Sequence, residues 1–136
     1  MPEPAPDTVA RVLVVDDYED SRNMYAEMLA FAGYRVETAN DGAEALERAQ
    51  AGRFDVFVLD IALPKVDGIT VIRTLRTRAE TMNTPIVSLS ASVGENAHRA
   101  IQAAGADLVL DKPCLPDDLA AAIRRLLERR RKAEKA

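Results

Sequence analysis

The chain has 136 residues, of which 48% are hydrophobic, and its formal net charge at pH 7 is −4. A chain of this length is expected to form one domain with a substantial core, and the apolar fraction argues against a disordered protein. The acidic balance disfavours nucleic acid as the main partner, and no apolar run reaches the roughly 20 residues that span a bilayer.

Cysteine usage and the first residues indicate the compartment. Cys114 is the only cysteine, which excludes an internal disulfide and favours a reducing environment. The first six residues contain three prolines and lack the apolar segment of a secretory signal. We therefore expect a cytoplasmic protein that does not associate with the membrane.

Five apolar segments predict buried strands, and a helical segment follows each of them. The predicted strands are residues 11–15, 34–39, 54–60, 85–90 and 108–110. The predicted helices are residues 19–32, a segment between Gly42 and Gly52, residues 66 or 67 to about 78, residues 95–104, and a last helix from Asp117. This alternation predicts an α/β fold, a doubly wound five-stranded parallel sheet flanked by five helices with right-handed crossovers.

The first helix is predicted to bury one apolar stripe. Met24, Met28 and Ala32 recur at intervals of four, with Tyr25 and Leu29 beside them. Such a spacing places side chains on one face of a helix, and an apolar face packs against the core.

The ends of the chain differ in composition from the middle. We expect residues 1–10 to be a flexible tail, because three of them are prolines. The folded domain is predicted to cover residues 11–128. Residues 129–136 are expected to be a charged helix end or tail, with the basic run 129–132 exposed to solvent.

Polar side chains stand at the carboxyl ends of the predicted strands. Asp16 and Asp17 follow the first strand, and Asp60 ends the third. Ser90 ends the fourth strand, and Lys112 follows the fifth. Because parallel strands place these ends at one edge of the sheet, the sequence predicts one site with three carboxylates, a hydroxyl and an ammonium group.

Three carboxylates at one site require neutralisation. Two unit charges about 4 Å apart repel by about 4 kcal/mol at an effective dielectric constant of about 20. Either one carboxyl group stays protonated or a cation joins the cluster, and Lys112 alone cannot balance three negative charges. An all-oxygen ligand set without histidine or cysteine suits Mg²⁺ and not zinc. With Mg²⁺ bound, Asp60 is a candidate nucleophile toward a phosphoryl group, assisted by Lys112 and Ser90.

Four segments of the sequence resemble the receiver domain of bacterial two-component response regulators. They are residues 12–17, 59–68, 89–91 and 112–113, and the similarity covers about residues 11–127. The resemblance implies a CheY-like, flavodoxin-like (βα)5 fold. It also implies a phosphorylation-dependent signalling switch that is no enzyme in the usual sense, although it catalyses its own phosphorylation and slow dephosphorylation.

The resemblance also implies roles for individual residues. A partner histidine kinase or histidine phosphotransfer protein is expected to phosphorylate Asp60, while Ser90 and Lys112 sense and hold the phosphoryl group. The expected Mg²⁺ ligands are Asp17, Asp60, the backbone carbonyl of Ala62 and, through water, Asp16. A cis peptide bond is expected before Pro113.

The sequence departs from the family pattern at several positions. Val109 stands where the family usually has an aromatic residue whose rotation reports phosphorylation, and valine is too small and stiff to act in that way. Ser90 replaces a common threonine and keeps its hydroxyl. Leu63 and Cys114 replace a frequent methionine and a large apolar residue. The chemistry is therefore expected to be intact, whereas the usual readout is in doubt.

Several readings of the function remain open. A receiver that stands alone is expected to dock on a target protein, in this family usually through the fourth helix, fifth strand and fifth helix. A phosphate-relay intermediate, a receiver cut from a longer hybrid kinase and a degenerate receiver that binds constitutively are alternatives. A metal-dependent phosphatase is disfavoured because Ala62 occupies the place of its second acid, and a flavin-binding module because residues 16–20 are acidic. His98 is expected to be a surface residue and not a phosphorelay histidine.

Overall fold

The computed structural model describes residues 9–91 and 94–135, with side chains through residue 133. Most of the predicted N-terminal tail, residues 1–8, lies outside the described part. The elements in chain order are β1 (Arg11–Val15), α1 (Glu19–Phe31), β2 (Arg35–Ala39), α2 (Gly42–Ala51), β3 (Val56–Asp60), α3 (Gly68–Thr77), β4 (Ile86–Ser90), α4 (Glu95–Ala104), β5 (Leu108–Asp111) and α5 (Pro116–Lys135).

The five strands form one parallel sheet, which confirms the predicted fold. The strand order is β2-β1-β3-β4-β5, with β3 in the centre and buried at every position. One hydrophobic cluster packs the sheet against α2, α3 and α4, and a second packs its other face against α1 and α5. All five carboxyl ends therefore lie at one edge, where the predicted site residues are placed.

Local hydrogen bonds explain where the predicted boundaries differ from the observed ones. α3 begins at Gly68 because Asp67 caps it, its Oδ1 accepting a hydrogen bond of 2.9 Å from Thr70 N. β3 begins at Val56, two residues later than predicted. Asp55 precedes that strand and is bonded to Arg11, donating its N–H to the carbonyl oxygen and accepting the Arg11 N–H on its carboxylate.

The predicted apolar stripe of α1 is confirmed at Tyr25 and Leu29, and at Met28, which packs against them, but it is wrong for Met24 and Ala32. Met24 is 43% exposed and Ala32 is exposed, whereas Tyr25 and Leu29 are 3% and 0% exposed. Met24/Met28 and Tyr25/Leu29 have the same spacing, so periodicity alone does not distinguish the two faces. The Tyr25 hydroxyl donates a buried hydrogen bond of 2.8 Å to the carbonyl oxygen of Cys114, which fixes the face that turns inward.

The basic run at the end of α5 is packed in part. Arg130 Nη1 donates a hydrogen bond of 3.2 Å to the carbonyl oxygen of Asp55. The prediction that the whole basic run is exposed to solvent is therefore wrong for Arg130. Arg129, Arg131 and Lys132 are exposed, as expected. Within the described ranges, no helix combines the length and the apolar character needed to cross a membrane.

One buried hydroxyl lacks a partner in the core. Ser88 lies in the middle of β4, is 0% exposed, and its Oγ has no hydrogen-bond partner among the described residues. The same strand face carries Ile86, which belongs to the cluster under α2, α3 and α4. A buried polar atom without a partner costs the folded state free energy.

Replacing Ser88 by alanine is therefore expected to raise the free energy of unfolding by about 1 kcal/mol, since it removes an unpaired polar group at little loss of volume. Urea denaturation of wild type and Ser88→Ala measures the difference. Thr81→Val is the matched control, because the Thr81 hydroxyl is also buried but donates a hydrogen bond of 2.6 Å to the Leu75 carbonyl oxygen. Thr81→Val should lower the stability, and a comparable loss in Ser88→Ala would contradict the assignment.

Candidate functional site

Three carboxylates meet at the carboxyl edge of the sheet, as the sequence predicted. Asp16 and Asp17 follow β1, and Asp60 ends β3, which pairs directly with β1. One oxygen from each of the three lies within 4.8 Å of the others. Asp16 and Asp60 are 1% and 4% exposed, whereas Asp17 is exposed. The cluster is therefore a recess whose floor is buried and whose mouth, at Asp17, faces solvent.

Lys112 supplies the positive charge next to this recess. Its Nζ lies 2.6 Å from Asp60 Oδ2 and 3.9 Å from Asp16 Oδ2. Its backbone N–H donates to the Ser90 carbonyl oxygen at 2.8 Å, which binds the end of β5 to the end of β4. The Lys112–Pro113 peptide bond is cis, as the family resemblance implied.

Burial and charge shift the pKa values in this recess. Burial raises the pKa of Asp16 above its ordinary value of 3.8, although a hydrogen bond from the Tyr18 N–H and the charge of Lys112 oppose the shift. Burial lowers the pKa of Lys112, but the hydrogen bond to Asp60 and the charges of Asp60 and Asp16 outweigh it, so the net shift is upward. The lysine is therefore firmly protonated, and the buried Asp16 carboxylate is held at an energetic cost.

The donor set of the recess fits a hard cation. Asp16 Oδ2 is buried and accepts no hydrogen bond from any described residue, since Lys112 Nζ is too distant for one. Carboxylate oxygens grouped in this way, with one side open to water, are the ligands that Mg²⁺ prefers. The orphaned oxygen is thus the observation that supports a cation site here.

The loop after β3 orients Asp60 through its backbone. Ala62 N–H donates to Asp60 Oδ1 at 3.0 Å, while Lys112 holds Oδ2, so both carboxylate oxygens have fixed donors. A Cβ added to Gly68 would lie 2.6 Å from Ile61 Cα and 2.8 Å from the Asp60 carbonyl oxygen. The start of α3 therefore packs directly against the backbone that carries the Asp60 carboxylate.

A second glycine packs against the other end of that loop. A Cβ added to Gly42, the first residue of α2, would overlap the Val66 carbonyl oxygen. Lys65 lies between the two contacts with a φ of 66°, and its Nζ reaches Asp41 Oδ2 at 3.3 Å. The sequence has Asp-Gly pairs at 41–42 and 67–68, but it did not reveal these backbone contacts.

The remaining predicted residues lie close to the recess. Ser90 ends β4 and is 2% exposed, in register with Asp111 and next to Lys112 along the sheet edge. Val109 is partly buried against the core beneath α4. His98 is half-buried on α4, and its Nε2 lies 2.7 Å from Asp111 Oδ1, a contact that sequence reasoning missed.

Comparison with known proteins adds an independent line of evidence. The family model described as response regulator receiver domain matches residues 12–124. The response regulator MprA of Mycobacterium leprae (strain TN) is 43% identical over 119 residues, which make up 88% of this chain and 51% of that protein. The chain thus spans about half the length of the curated relatives it matches.

Solved structures share the fold over almost their whole length. The chemotaxis response regulator CheY4 of Vibrio cholerae is 38% identical, with a TM-score of 0.83, 87% coverage of this chain and 98% of that chain. A CheY-like receiver domain protein from Methanospirillum hungatei JF-1 is 25% identical, with a TM-score of 0.87 and coverages of 93% and 99%.

The close contact at Gly68 predicts a strong effect of a single methyl group. Gly68→Ala should lower the free energy of unfolding by about 2 kcal/mol, because the added Cβ meets backbone atoms that cannot turn aside. Gly52→Ala is the matched control, since the nearest atom to its added Cβ is the flexible Arg11 Nη2 at 3.4 Å. It should change the stability by less than about 0.5 kcal/mol. Equal urea midpoints for the two variants would contradict the predicted contact.

The raised pKa of Asp16 predicts that removing its charge raises the free energy of unfolding, by an amount that depends on pH. Because its pKa is raised in the folded state, protonated Asp16 stabilises the fold. This contribution to the free energy of unfolding is complete below the unfolded-state pKa and is lost as the pH rises through the folded-state pKa. Without divalent cations at pH 7, Asp16→Asn should therefore be more stable than wild type, and the difference should shrink as the pH falls toward 3.8.

Urea denaturation across this pH range tests the sign of the effect. Glu47→Gln, which removes one exposed carboxylate on α2, is the control for the loss of a single negative charge. An Asp16→Asn protein that is less stable than wild type at pH 7 would refute the prediction.

Proposed function

This chain belongs to the response regulator receiver domain family of two-component signalling, and from that membership we propose that Asp60 is its phosphorylation site. The observation that carries the proposal is the geometry around Asp60. Its buried carboxylate lies 2.6 Å from the Lys112 ammonium and within 4.8 Å of two further carboxylates, at the open edge of the sheet. A structural ion pair would not require three acids around one lysine.

The reaction is a transfer between two nucleophiles. A carboxylate oxygen of Asp60 attacks phosphorus as the bond between phosphorus and the imidazole nitrogen of a donor phosphohistidine breaks, and the nitrogen leaves with the electron pair. Ala62 N–H and Lys112 Nζ hold the attacking carboxylate in orientation. Lys112 then balances charge on the transferred oxygens, and Ser90 donates a hydrogen bond to one of them.

Mg²⁺ is the proposed cofactor of this transfer. Asp16, Asp17, Asp60 and the backbone carbonyl of Ala62 would hold it, and the unpartnered Asp16 Oδ2 supports a cation in this recess. When bound, the ion supplies positive charge that offsets the carboxylates and the phosphoryl oxygens. The chain catalyses its own phosphorylation and dephosphorylation in this scheme and turns over no other substrate.

Phosphorylation of Asp60 switches the protein between two states because it changes the charge at the sheet edge. An aspartyl phosphate adds about −1.5 to −2 charge and strong acceptor oxygens at the sheet edge. We propose a histidine kinase or a histidine phosphotransfer protein as the donor, and a target protein that docks on the face formed by α4, β5 and α5. The free, buried thiol of Cys114 agrees with a reaction in the cytoplasm.

A degenerate receiver that binds its partner constitutively is the second candidate. Val109 favours it, because a partly buried valine in β5 has no rotating ring to report the state of the site. The two candidates differ in whether Asp60 takes up phosphorus, which one measurement decides.

Incubation with Mg²⁺ and a small phosphodonor such as acetyl phosphate is expected to add the mass of a single phosphoryl group to the intact protein. Asp60→Asn should abolish the adduct, since a side-chain amide is a much weaker nucleophile than a carboxylate. Asp55→Asn is the control, because Asp55 lies at the opposite end of β3 and bonds to Arg11 instead. Omission of Mg²⁺ should also prevent the adduct. An unmodified wild-type protein would exclude the switch and favour the degenerate receiver.

A further inference from the structure

The two halves of α4 are attached to the domain in different ways. Its second half is anchored by the buried side chains of Ile101 and Ala104, and Arg76 Nε donates to the Gly105 carbonyl oxygen at 3.0 Å just beyond its end. In the first half, residues 95, 96 and 99 are exposed and no side chain is buried. Packing therefore fixes one end of the helix much more firmly than the other.

A side-chain contact connects the weakly packed half to β5. His98 Nε2 lies 2.7 Å from Asp111 Oδ1, with the two side chains 31% and 50% exposed. The bond joins α4 to the last residue of β5, immediately before Lys112. Its partial exposure limits its strength to that of an ordinary hydrogen bond, so a modest change in the strand end suffices to break it.

The backbone next to Asp111 is coupled to the acceptor site. Lys112 Nζ binds Asp60 Oδ2 at 2.6 Å, and the Lys112 N–H binds the Ser90 carbonyl oxygen at 2.8 Å. A phosphoryl group on Asp60 presents oxygens farther out than the carboxylate does, and the ammonium follows the larger negative charge. The displacement of the Lys112 side chain is then transmitted to the preceding residue, whose carboxylate holds α4.

We propose that the His98–Asp111 hydrogen bond keeps the first half of α4 against β5 in the unphosphorylated protein and that phosphorylation of Asp60 releases it. This inference rests on the proposed function of Asp60. His98 and Asp111 are positioning residues in this scheme, since neither touches the reacting atoms. Because coupling is reciprocal, a partner that binds the released helix also favours the phosphorylated state.

Hydrogen exchange at the amides of residues 98–101 tests the release. In wild type, phosphorylation should speed exchange about fivefold, the ratio that corresponds to loss of about one hydrogen bond. In His98→Ala and Asp111→Ala, exchange in the unphosphorylated protein should already lie within about twofold of the phosphorylated wild type. The phosphorylation-dependent change should then be lost, although the adduct still forms.

Two further variants separate the bond from a general effect on the helix. His98→Gln places an amide N–H near the position of Nε2 and should keep the fivefold response. Arg99→Ala removes a neighbouring ion pair that stays within α4, to Glu95 at 3.2 Å, and should also leave the response intact.

Intact mass, recorded on the same samples, distinguishes the two ways of failing. If the adduct forms and exchange in α4 does not change, or if His98→Ala keeps the full response, the release is refuted while the phosphorylation site stands. If no adduct forms in wild type, the proposed function fails and the inference fails with it.

Discussion

The whole site depends on holding three carboxylates and one lysine at a single edge of the sheet. Unit charges of the same sign this close repel strongly at the effective dielectric of a protein, and Asp16 is buried with one oxygen unpaired. The Lys112 ammonium, 2.6 Å from Asp60, offsets part of this repulsion and leaves the recess acidic. A cluster of carboxylates that destabilises the fold in this way is suited to bind a cation.

The parallel sheet and its loops together bring these groups into place. Each strand delivers its last residue to the same edge, and the central, fully buried β3 delivers Asp60. The loop beyond it is confined by glycines at the starts of α2 and α3, where a methyl group would meet backbone atoms. Ala62 N–H and Lys112 Nζ then hold the two oxygens of Asp60. The orientation of the Asp60 carboxylate thus depends on backbone packing as much as on side-chain contacts.

The sequence predicted the structure best where a pattern fits only one arrangement, such as an apolar run that ends in a polar residue. It predicted the structure least well where two arrangements share the same spacing. Apolar runs that end in Asp16, Asp60 and Ser90 predicted both the sheet and the edge where those residues meet. Met24 was wrongly predicted to be buried because Met24 and Tyr25 begin stripes of equal spacing, and the hydrogen bond of Tyr25 to Cys114 that decides between them joins residues 89 positions apart. The contact between His98 and Asp111 was missed for the same reason, since pairing across a helix and a strand leaves no periodic signal. The tight approach of Gly68 to Ile61 leaves no signal in the sequence beyond the glycine itself.

The hydrogen bond between Arg130 and the Asp55 carbonyl oxygen links α5 to the central strand. Asp55 directly precedes β3, and Asp60 ends it, so this strand lies between the last turns of α5 and the Asp60 carboxylate. The strand is extended and spans roughly 17 Å for five residues. One hydrogen bond and one five-residue strand therefore connect the last turns of α5 to the backbone that carries Asp60. The position of Asp60 is thereby tied to the end of α5 as well as to its neighbours in the sheet.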